Sequence, residues 1–211
     1  VINRDTQTIS YEVRTGGEPT HDCTVKRGNG TCIATGSAIP NEYIKQQGLS
    51  GLIDQQLLAV VAEGDRGRTY YGPLEAELEA AACNLPDELP TGRMSDHPQY
   101  MGTPRYGLDE WWKLFTPRQL TALTTFSDLL SEVRQRVIAD AAANGVIDDG
   151  VRLRDGGSGA TAYADAITTY LAFVIDKCTN LWSSTVTWMN DRGAFREVFA
   201  RQAIPMTWDF A

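Results

Sequence analysis

The stretch that decides the fold is Thr116-Pro117-Arg118-Gln119-Leu120, because it opens a long amphipathic segment. A threonine hydroxyl accepts a hydrogen bond from a free backbone N–H, and a proline loses no hydrogen bond at the first helical position. A glutamine at the third position reaches back and closes a capping box. Apolar residues then recur every three or four positions: Leu120, Leu123, Phe126, Leu130, Val133 and Val137. The pattern predicts a helix that ends near Asn144.

Two further helices are predicted after this one. Residues 160–181 place their apolar side chains at helical spacing, and a loop rich in Gly and Asp precedes them at residues 148–159. Another helix is predicted to begin near Asn190 or Asp191 and to stop before Pro205, because proline cannot continue a helix. Residues 111–211 are therefore predicted to form a mainly α-helical part.

The first 72 residues predict short strands instead. Ile9, Tyr11 and Val13 alternate with polar residues, which is the period of a half-buried strand. Residues 25–33 predict a hairpin around a Gly-Asn-Gly turn. Residues 57–71 predict a second pair of strands, since an apolar run, an Asp-Arg-Gly turn and a Thr-Tyr-Tyr strand follow one another.

An acidic helix and a proline-rich linker are predicted between these parts, at residues 73–110. Residues 74–82 are rich in Glu and Ala, and early carboxylates favour a helix start. Residues 84–107 hold four of the nine prolines, together with three glycines, and predict a linker or extended loop. The predicted fold class is α+β, with a small β-rich region at residues 1–72, this linker, and a mainly helical domain at residues 111–211.

The net charge of −8 and the pI of about 4.8 exclude a chain that binds nucleic acid through an overall positive charge. The acidic excess is local, because residues 73–110 carry two basic and eight acidic residues. Residues 1–72 and 111–211 are close to neutral, so either part can still present a small basic face.

The cysteines and the apolar runs predict a cytoplasmic protein with no membrane contact. Cys23, Cys32, Cys83 and Cys178 are scattered, which is typical of reduced thiols. No apolar run approaches the roughly 20 residues that span a bilayer, and no signal peptide is visible. The chain begins at Val1 and stops on the apolar residues 208–211, whereas natural termini are usually polar. These ends predict a piece of a longer protein.

Cys23 and Cys32 are weak candidates for a metal site, with His21 nearby. A structural zinc ribbon needs four ligands, usually as two close pairs. A threonine, Thr35, stands where a second cysteine would complete the pair of Cys32, and Cys83 is too isolated to replace it. We therefore expect no bound metal, with Cys32 filling a small β core.

No catalytic constellation is predicted elsewhere. His21 and His97 lie in loop-like sequence, and neither pairs with a nucleophile. The glutamates of the acidic helix point to different faces, and a solvated surface explains them better than acid–base catalysis does. Residues 156–159 are interpreted as a flexible loop in preference to an anion site. Core packing is favoured over stacking on an extruded base for the tryptophans: Trp111, Trp112, Trp182, Trp188 and Trp208.

The string at residues 112–128, WKLFTPRQLTALTTFSD, resembles the middle of a family of large bacterial and archaeal adenine-specific DNA methylases. These proteins carry a domain of unknown function at the N-terminus and a zinc-ribbon-like insert. Other strings agree with the family in order: residues 51–61, 67–71, 163–173 and 199–211. The resemblance covers about residues 20–211, and its most specific parts are residues 115–123 and 201–210.

The resemblance implies methyl transfer from S-adenosylmethionine to the exocyclic amine of adenine in DNA. Such enzymes need a Gly-rich cofactor loop and an Asp/Asn-Pro-Pro-Tyr/Phe motif, and neither occurs in these 211 residues. In the family the cofactor loop lies upstream of this region and the Pro-Pro motif downstream. The resemblance therefore implies an internal, non-catalytic segment without its own cofactor, from a parent enzyme that uses S-adenosylmethionine in restriction–modification or defence.

The family often has Cys-x-x-Cys-Gly where residues 32–36 stand, so Thr35 departs from the pattern and leaves a metal-free ribbon. We expect the segment to support binding of target DNA, because Arg and Gln make bidentate contacts to base edges. The candidates for DNA contact are Arg118, Gln119, Arg201 and Gln202. The same residue types also cap helices and form surface pairs. The alternative function is a structural or protein–protein interaction module, which the acidic residues 73–110 favour.

Overall fold

The computed structural model describes residues 2–3, 5–6, 8–14, 16–17, 23–26, 28–189, 191–200 and 202–210. The fold is α+β, as predicted, with small antiparallel sheets in the N-terminal part and long helices in the C-terminal part. The strands are β1 (Ile2–Asn3), β2 (Thr8–Ile9), β3 (Val25–Lys26), β4 (Asn29–Thr31), β5 (Ala38–Ile39), β6 (Val60–Gly64), β7 (Gly67–Tyr71), β8 (Thr187–Met189) and β9 (Ala194–Arg196). The helices are α1 (Asn41–Leu49), α2 (Glu75–Ala81), α3 (Pro117–Ala143) and α4 (Ala160–Leu181).

The strands of the N-terminal part pair as short hairpins and one three-stranded sheet. The strand predicted through Ile9, Tyr11 and Val13 is wrong beyond Ile9, since residues 10–14 form no strand. The hairpin β3–β4 is confirmed, but Lys26 pairs with Asn29, so the turn contains Gly28 at φ +85°. The hairpin β6–β7 is confirmed, with all five residues of each strand paired.

The long helices α3 and α4 form an antiparallel hairpin. Both were predicted, α3 from its cap and apolar stripe and α4 from its spacing. Phe126 lies beside Trp182, with ring centroids 6.2 Å apart, while Arg134 near the other end of α3 bonds to Asp165 near the start of α4. The exposed side of this pair remains partly apolar, because Phe126 and Phe173 are 47% and 61% exposed.

The helix predicted from residue 190 to Pro205 is wrong, because the hairpin β8–β9 occupies part of this segment. Trp188 pairs with Phe195 across the two strands, with ring centroids 5.3 Å apart at 75°. Gly193 has φ +55° in the turn, a conformation that L side chains rarely adopt. Phe195 and Phe199 share helical spacing only by coincidence, since cross-strand pairing and the glycine turn determine the structure.

The proline-rich segment at residues 84–107 is a loop, as predicted, but it also contributes to the core. Met94 belongs to one buried cluster with Leu114, Val186, Val198 and Ile204. Backbone hydrogen bonds attach the segment to later parts of the chain. For example, the N–H of Gly102 donates to the carbonyl of Ile204 at 2.9 Å. The segment therefore packs between the predicted parts instead of spacing them apart.

Helix α1 was not predicted, because it has no apolar stripe, and it depends on a close backbone contact. It packs on the 3-10 helix Thr103–Tyr106 and the glycine that follows it. A Cβ atom at Gly48 would lie 2.3 Å from the carbonyl oxygen of Tyr106, and one at Gly107 would lie 2.2 Å from the carbonyl oxygen of Gly48. Tyr106 also donates from its hydroxyl to Asn41 Oδ1 at 3.0 Å.

We expect Gly48→Ala to destabilise the protein by about 1–3 kcal/mol, since the added methyl group forces two backbones apart. The sign of the change in unfolding free energy is informative, because alanine otherwise stabilises a helix more than glycine does, by about 1 kcal/mol. Denaturant unfolding measures the change. Gly72→Ala is the control, because a Cβ atom at Gly72 meets nothing within 4 Å. Equal stability of the two variants would contradict the close contact.

Candidate functional site

The N-terminus of α3 carries two of the residues predicted to contact DNA. The N–H of Gln119 donates to Thr116 Oγ1 at 3.1 Å, and the N–H of Thr116 donates to Gln119 Oε1 at 2.9 Å. The predicted capping box is therefore confirmed. Arg118 is exposed between them and forms no ion pair with any other residue that the structure describes.

The capping box limits what Gln119 can do at a base edge. A bidentate contact to adenine needs the carboxamide oxygen as an acceptor and the NH₂ group as a donor. The oxygen of Gln119 already accepts from the N–H of Thr116. A contact to adenine would therefore compete with the cap for the same carboxamide, and the capping role is the one that the structure shows. The guanidinium of Arg118 has no such commitment.

We expect Gln119→Glu to keep the stability of the protein, because a carboxylate at this position closes the same capping box and suits the helix N-terminus. Gln119→Ala is expected to lower the free energy of unfolding by about 1 kcal/mol through the lost hydrogen bond. Thermal melts of the two variants measure this difference. A Gln119→Glu variant as unstable as Gln119→Ala would contradict the capping role.

The other two predicted contacts lie in the C-terminal segment. Gln202 is exposed, two residues before Ile204, whose N–H donates to the carbonyl of Tyr100 at 2.8 Å. Arg201 lies outside the described residues. Within the described part of the chain, no hydrogen bond or ion pair joins Gln202 to the start of α3.

Cys23 and Cys32 line one open groove of about 530 Å³ on the three-stranded sheet β3-β4-β5. Hydrogen bonds from the Thr35 hydroxyl, and then from the backbone N–H groups of Thr35 and Ala34, lower the pKa of the Cys32 thiol. Zinc needs four ligands, and the described residues contain no cluster of three or more His, Cys, Asp or Glu side chains that could hold a metal. Cys23 and Cys32 supply two of the four ligands that zinc needs, and His21, the third candidate, lies outside the described residues.

A second groove, of about 410 Å³, lies between the hairpins β6–β7 and β8–β9. The guanidinium of Arg68 lies 5.3 Å from the centre of the Trp188 ring, and Phe195 contacts the same indole edge-to-face. Cation and aromatic ring attract each other in this geometry. Trp188 thus contacts side chains of both hairpins, and Arg68 lies over one face of its ring. This site was not predicted from the sequence, because Arg68 and Trp188 lie far apart in the chain.

Among the described residues, Asp165 is the carboxylate whose pKa is lowered most, and its role is structural. It is 8% exposed and accepts from Arg134 Nε at 2.8 Å, from Arg152 Nε at 2.6 Å and from the N–H of Leu153 at 3.1 Å. The hydrogen bond from Arg152 is the largest cause that holds the pKa of Asp165 well below its usual range. Because its pKa is held well below neutral, Asp165 is a poor general base.

Two more carboxylates accept hydrogen bonds at the start of α4. Asp148 accepts from the N–H and the hydroxyl of Thr161, both at 2.9 Å, and Asp149 accepts from the N–H of Ser158 at 3.0 Å. These hydrogen bonds, led by the backbone bonds from Thr161 and Ser158, lower the pKa of both carboxyl groups. The loop at residues 156–159 therefore receives its negative charge from the protein, and an external anion is disfavoured there.

We expect Asp165→Asn to lower the melting temperature at neutral pH, because two guanidinium groups lose their charged partner. The folded pKa of Asp165 is depressed, so its stabilisation is complete above its unfolded pKa of about 3.9 and is lost as pH falls through the folded value. The melting temperatures of the wild type and the variant should therefore converge only in acid.

Thermal melts from neutral to acidic pH measure this convergence. Asp155→Asn is the control, because its carboxylate is exposed and lies 3.6 Å from Arg154 in a surface pair. A pH-independent difference between wild type and Asp165→Asn would contradict the ionised contact.

Comparisons of the chain with protein-family models, curated proteins and solved structures find no match. Among the helices that the structure describes, none is both long and apolar enough to cross a membrane.

Proposed function

We propose that this chain is an internal, non-catalytic segment of an S-adenosylmethionine-dependent, adenine-specific DNA methyltransferase, and that it supports binding of the target DNA. The parent enzyme acts in the cytoplasm and supplies the cofactor loop and the catalytic Pro-Pro motif from other segments. DNA is the partner of the parent enzyme. The proposal rests on the sequence resemblance, and the packing of the resembling strings supports it.

The observation that carries the proposal is that the two most specific strings meet in one core. Phe115, at the start of the first string, packs against the buried cluster that contains Ile204, inside the second, and Ile204 is 3% exposed. Thr116 and Thr207, from the two strings, are also buried. Sequence strings that form the core are characteristic of a fold, so their packing supports the resemblance to the methylase family.

Contact with DNA is supported most directly by Arg118. Most of the described cations lie within ion-pair distance of a carboxylate, for example Lys113 with Asp109 at 2.7 Å. An exposed guanidinium outside such pairs is available to a phosphate, and the positive end of the α3 dipole adds to its field. Gln202 is exposed and is the second available group.

The test is a fluorescence anisotropy titration of the full chain against a labelled duplex at low and at raised salt. We expect binding that weakens as salt rises, since phosphate contacts release counterions. Arg118→Ala should lower the slope of log affinity against log salt by about one. Arg136→Ala, on the exposed surface of the same helix, is the matched control and should leave the slope unchanged.

Absence of salt-dependent binding, or equal losses in the two arginine variants, would overturn the role in DNA binding. Gln119→Glu keeps the cap but adds a carboxylate next to Arg118, so it should weaken DNA binding most at low salt, because the added charge repels phosphate.

A structural or protein–protein interaction module is the second candidate function. The observation that favours it is the apolar surface left on the helical hairpin, which is unusual for a surface that contacts DNA. The exposed apolar side chains of α3 and α4 are Phe126, Leu129, Tyr163, Tyr170, Leu171, Phe173 and Val174. A pull-down with the full chain that recovers a partner protein, together with no binding in the DNA titration, would favour this candidate.

A further inference from the structure

The register of the hairpin β3–β4 places Cys23 opposite Cys32. Lys26 pairs with Asn29, and Val25 pairs with Gly30. The pairing continues past the strand ends, because the N–H of Thr31 donates to the carbonyl of Thr24 at 2.7 Å. The next position in the same register faces Cys23 with Cys32.

The hydrogen-bond pattern indicates which kind of pair these cysteines form. Opposite residues in an antiparallel pair alternate between hydrogen-bonded and non-hydrogen-bonded positions. Thr24 and Thr31 occupy a hydrogen-bonded position, so Cys23 and Cys32 occupy the other kind. The backbone of Cys32 agrees, because its N–H donates to the carbonyl of Ser37 at 2.8 Å and its carbonyl accepts from Gly36 at 2.7 Å, both on the side of β5.

Non-hydrogen-bonded pairs bring side chains closest together. Their Cα atoms lie about 4.5 Å apart, which is inside the range of about 4.4–6.8 Å that disulfides span. The side chains of an opposed pair also share one face of the sheet. Both cysteines line the same groove, as this geometry requires.

The two thiols are accessible and differ in character. Both are free, Cys23 is exposed and Cys32 is half-buried. Cys23 donates from Sγ to the carbonyl of Val25 at 3.1 Å, a weak bond that rotation of its side chain releases. Thr35 and Ala34 hydrogen-bond to the sulfur of Cys32 and favour its thiolate. The thiolate is the attacking form in disulfide exchange.

We propose that Cys23 and Cys32 are a thiol–disulfide exchange site that closes a reversible cross-strand disulfide with a low-molecular-weight disulfide such as oxidised glutathione. The Cys32 thiolate attacks one sulfur of the small disulfide, breaks its S–S bond and releases one thiolate. Cys23, after losing its proton to solvent, attacks Cys32 Sγ in the mixed disulfide and expels the second thiolate. The protein loses two electrons and the small disulfide gains them.

This inference is independent of DNA binding and of the parentage of the chain. A transient, regulatory bond is the kind of disulfide that reducing compartments contain. The closed disulfide joins the two open ends of the hairpin β3–β4 and cross-links these two strands of the three-stranded sheet.

The test treats the full chain with oxidised glutathione, blocks the remaining thiols, and measures the intact mass and the cross-linked peptides. We expect the loss of two hydrogens and one peptide pair that joins Cys23 to Cys32, both reversed by a reductant. The double variant Cys83→Ser/Cys178→Ser should give the same result. Cys23→Ser should instead keep one glutathione on Cys32, because the resolving thiol is missing.

Circular dichroism of each variant controls for folding, since serine is close in size to cysteine. Stable glutathione on both Cys23 and Cys32 of the wild-type chain would overturn the proposal. A cross-link from either residue to Cys83 or Cys178 in place of the expected pair would overturn it as well.

Discussion

The packing around Leu114 is the constraint on which the rest of the structure depends. Its side chain is fully buried, and its carbonyl oxygen accepts from the N–H of Ser184 at 2.8 Å and from the hydroxyls of Ser183 and Ser184 at 2.7 and 2.9 Å. Leu114 lies just before α3, and the two serines lie just after α4. These hydrogen bonds therefore hold the start of α3 against the end of α4, while the ion pairs of Asp165 with its two arginines hold the opposite ends of the helices together. Two packed helices have a small hydrophobic core, so both sets of contacts stabilise the pair.

The parts that sequence analysis predicted correctly are those that local chemistry determines. A capping box and an apolar stripe specify α3 within a few residues, because every interaction that defines its start lies within one turn. The bounds of α4 follow in the same way from spacing. The hairpin β6–β7 was predicted from an apolar run, a turn and a Thr-Tyr-Tyr strand, which are equally local. The fold class therefore followed from short-range patterns.

The parts that were wrong or missed depend on contacts between distant residues. The hairpin β8–β9 was mistaken for a helix, because Phe195 and Phe199 satisfy helical spacing while the pairing of Trp188 with Phe195 determines the structure. Helix α1 depends on the approach of Gly48 to Gly107, which no local pattern reveals. The groove formed by Arg68 and Trp188, and the two arginines on Asp165, are likewise unpredictable from spacing. Of the candidate site, the capping box of Thr116 and Gln119 was predicted, because it is formed within one turn of the helix.

The same distribution bears on the function proposed for the chain. Asp148 and Asp165 are bonded to a helix end and to arginines, Trp188 packs against Arg68 and Phe195, and the resembling strings contribute to the core. In the proposed function, the chain positions surfaces and the chemistry belongs to other parts of the enzyme. The central claim is tested most directly by isothermal titration calorimetry of S-adenosylmethionine and of duplex DNA into the full chain. The account predicts saturable heat from DNA and none from S-adenosylmethionine, and saturable binding of S-adenosylmethionine by this chain alone would contradict it.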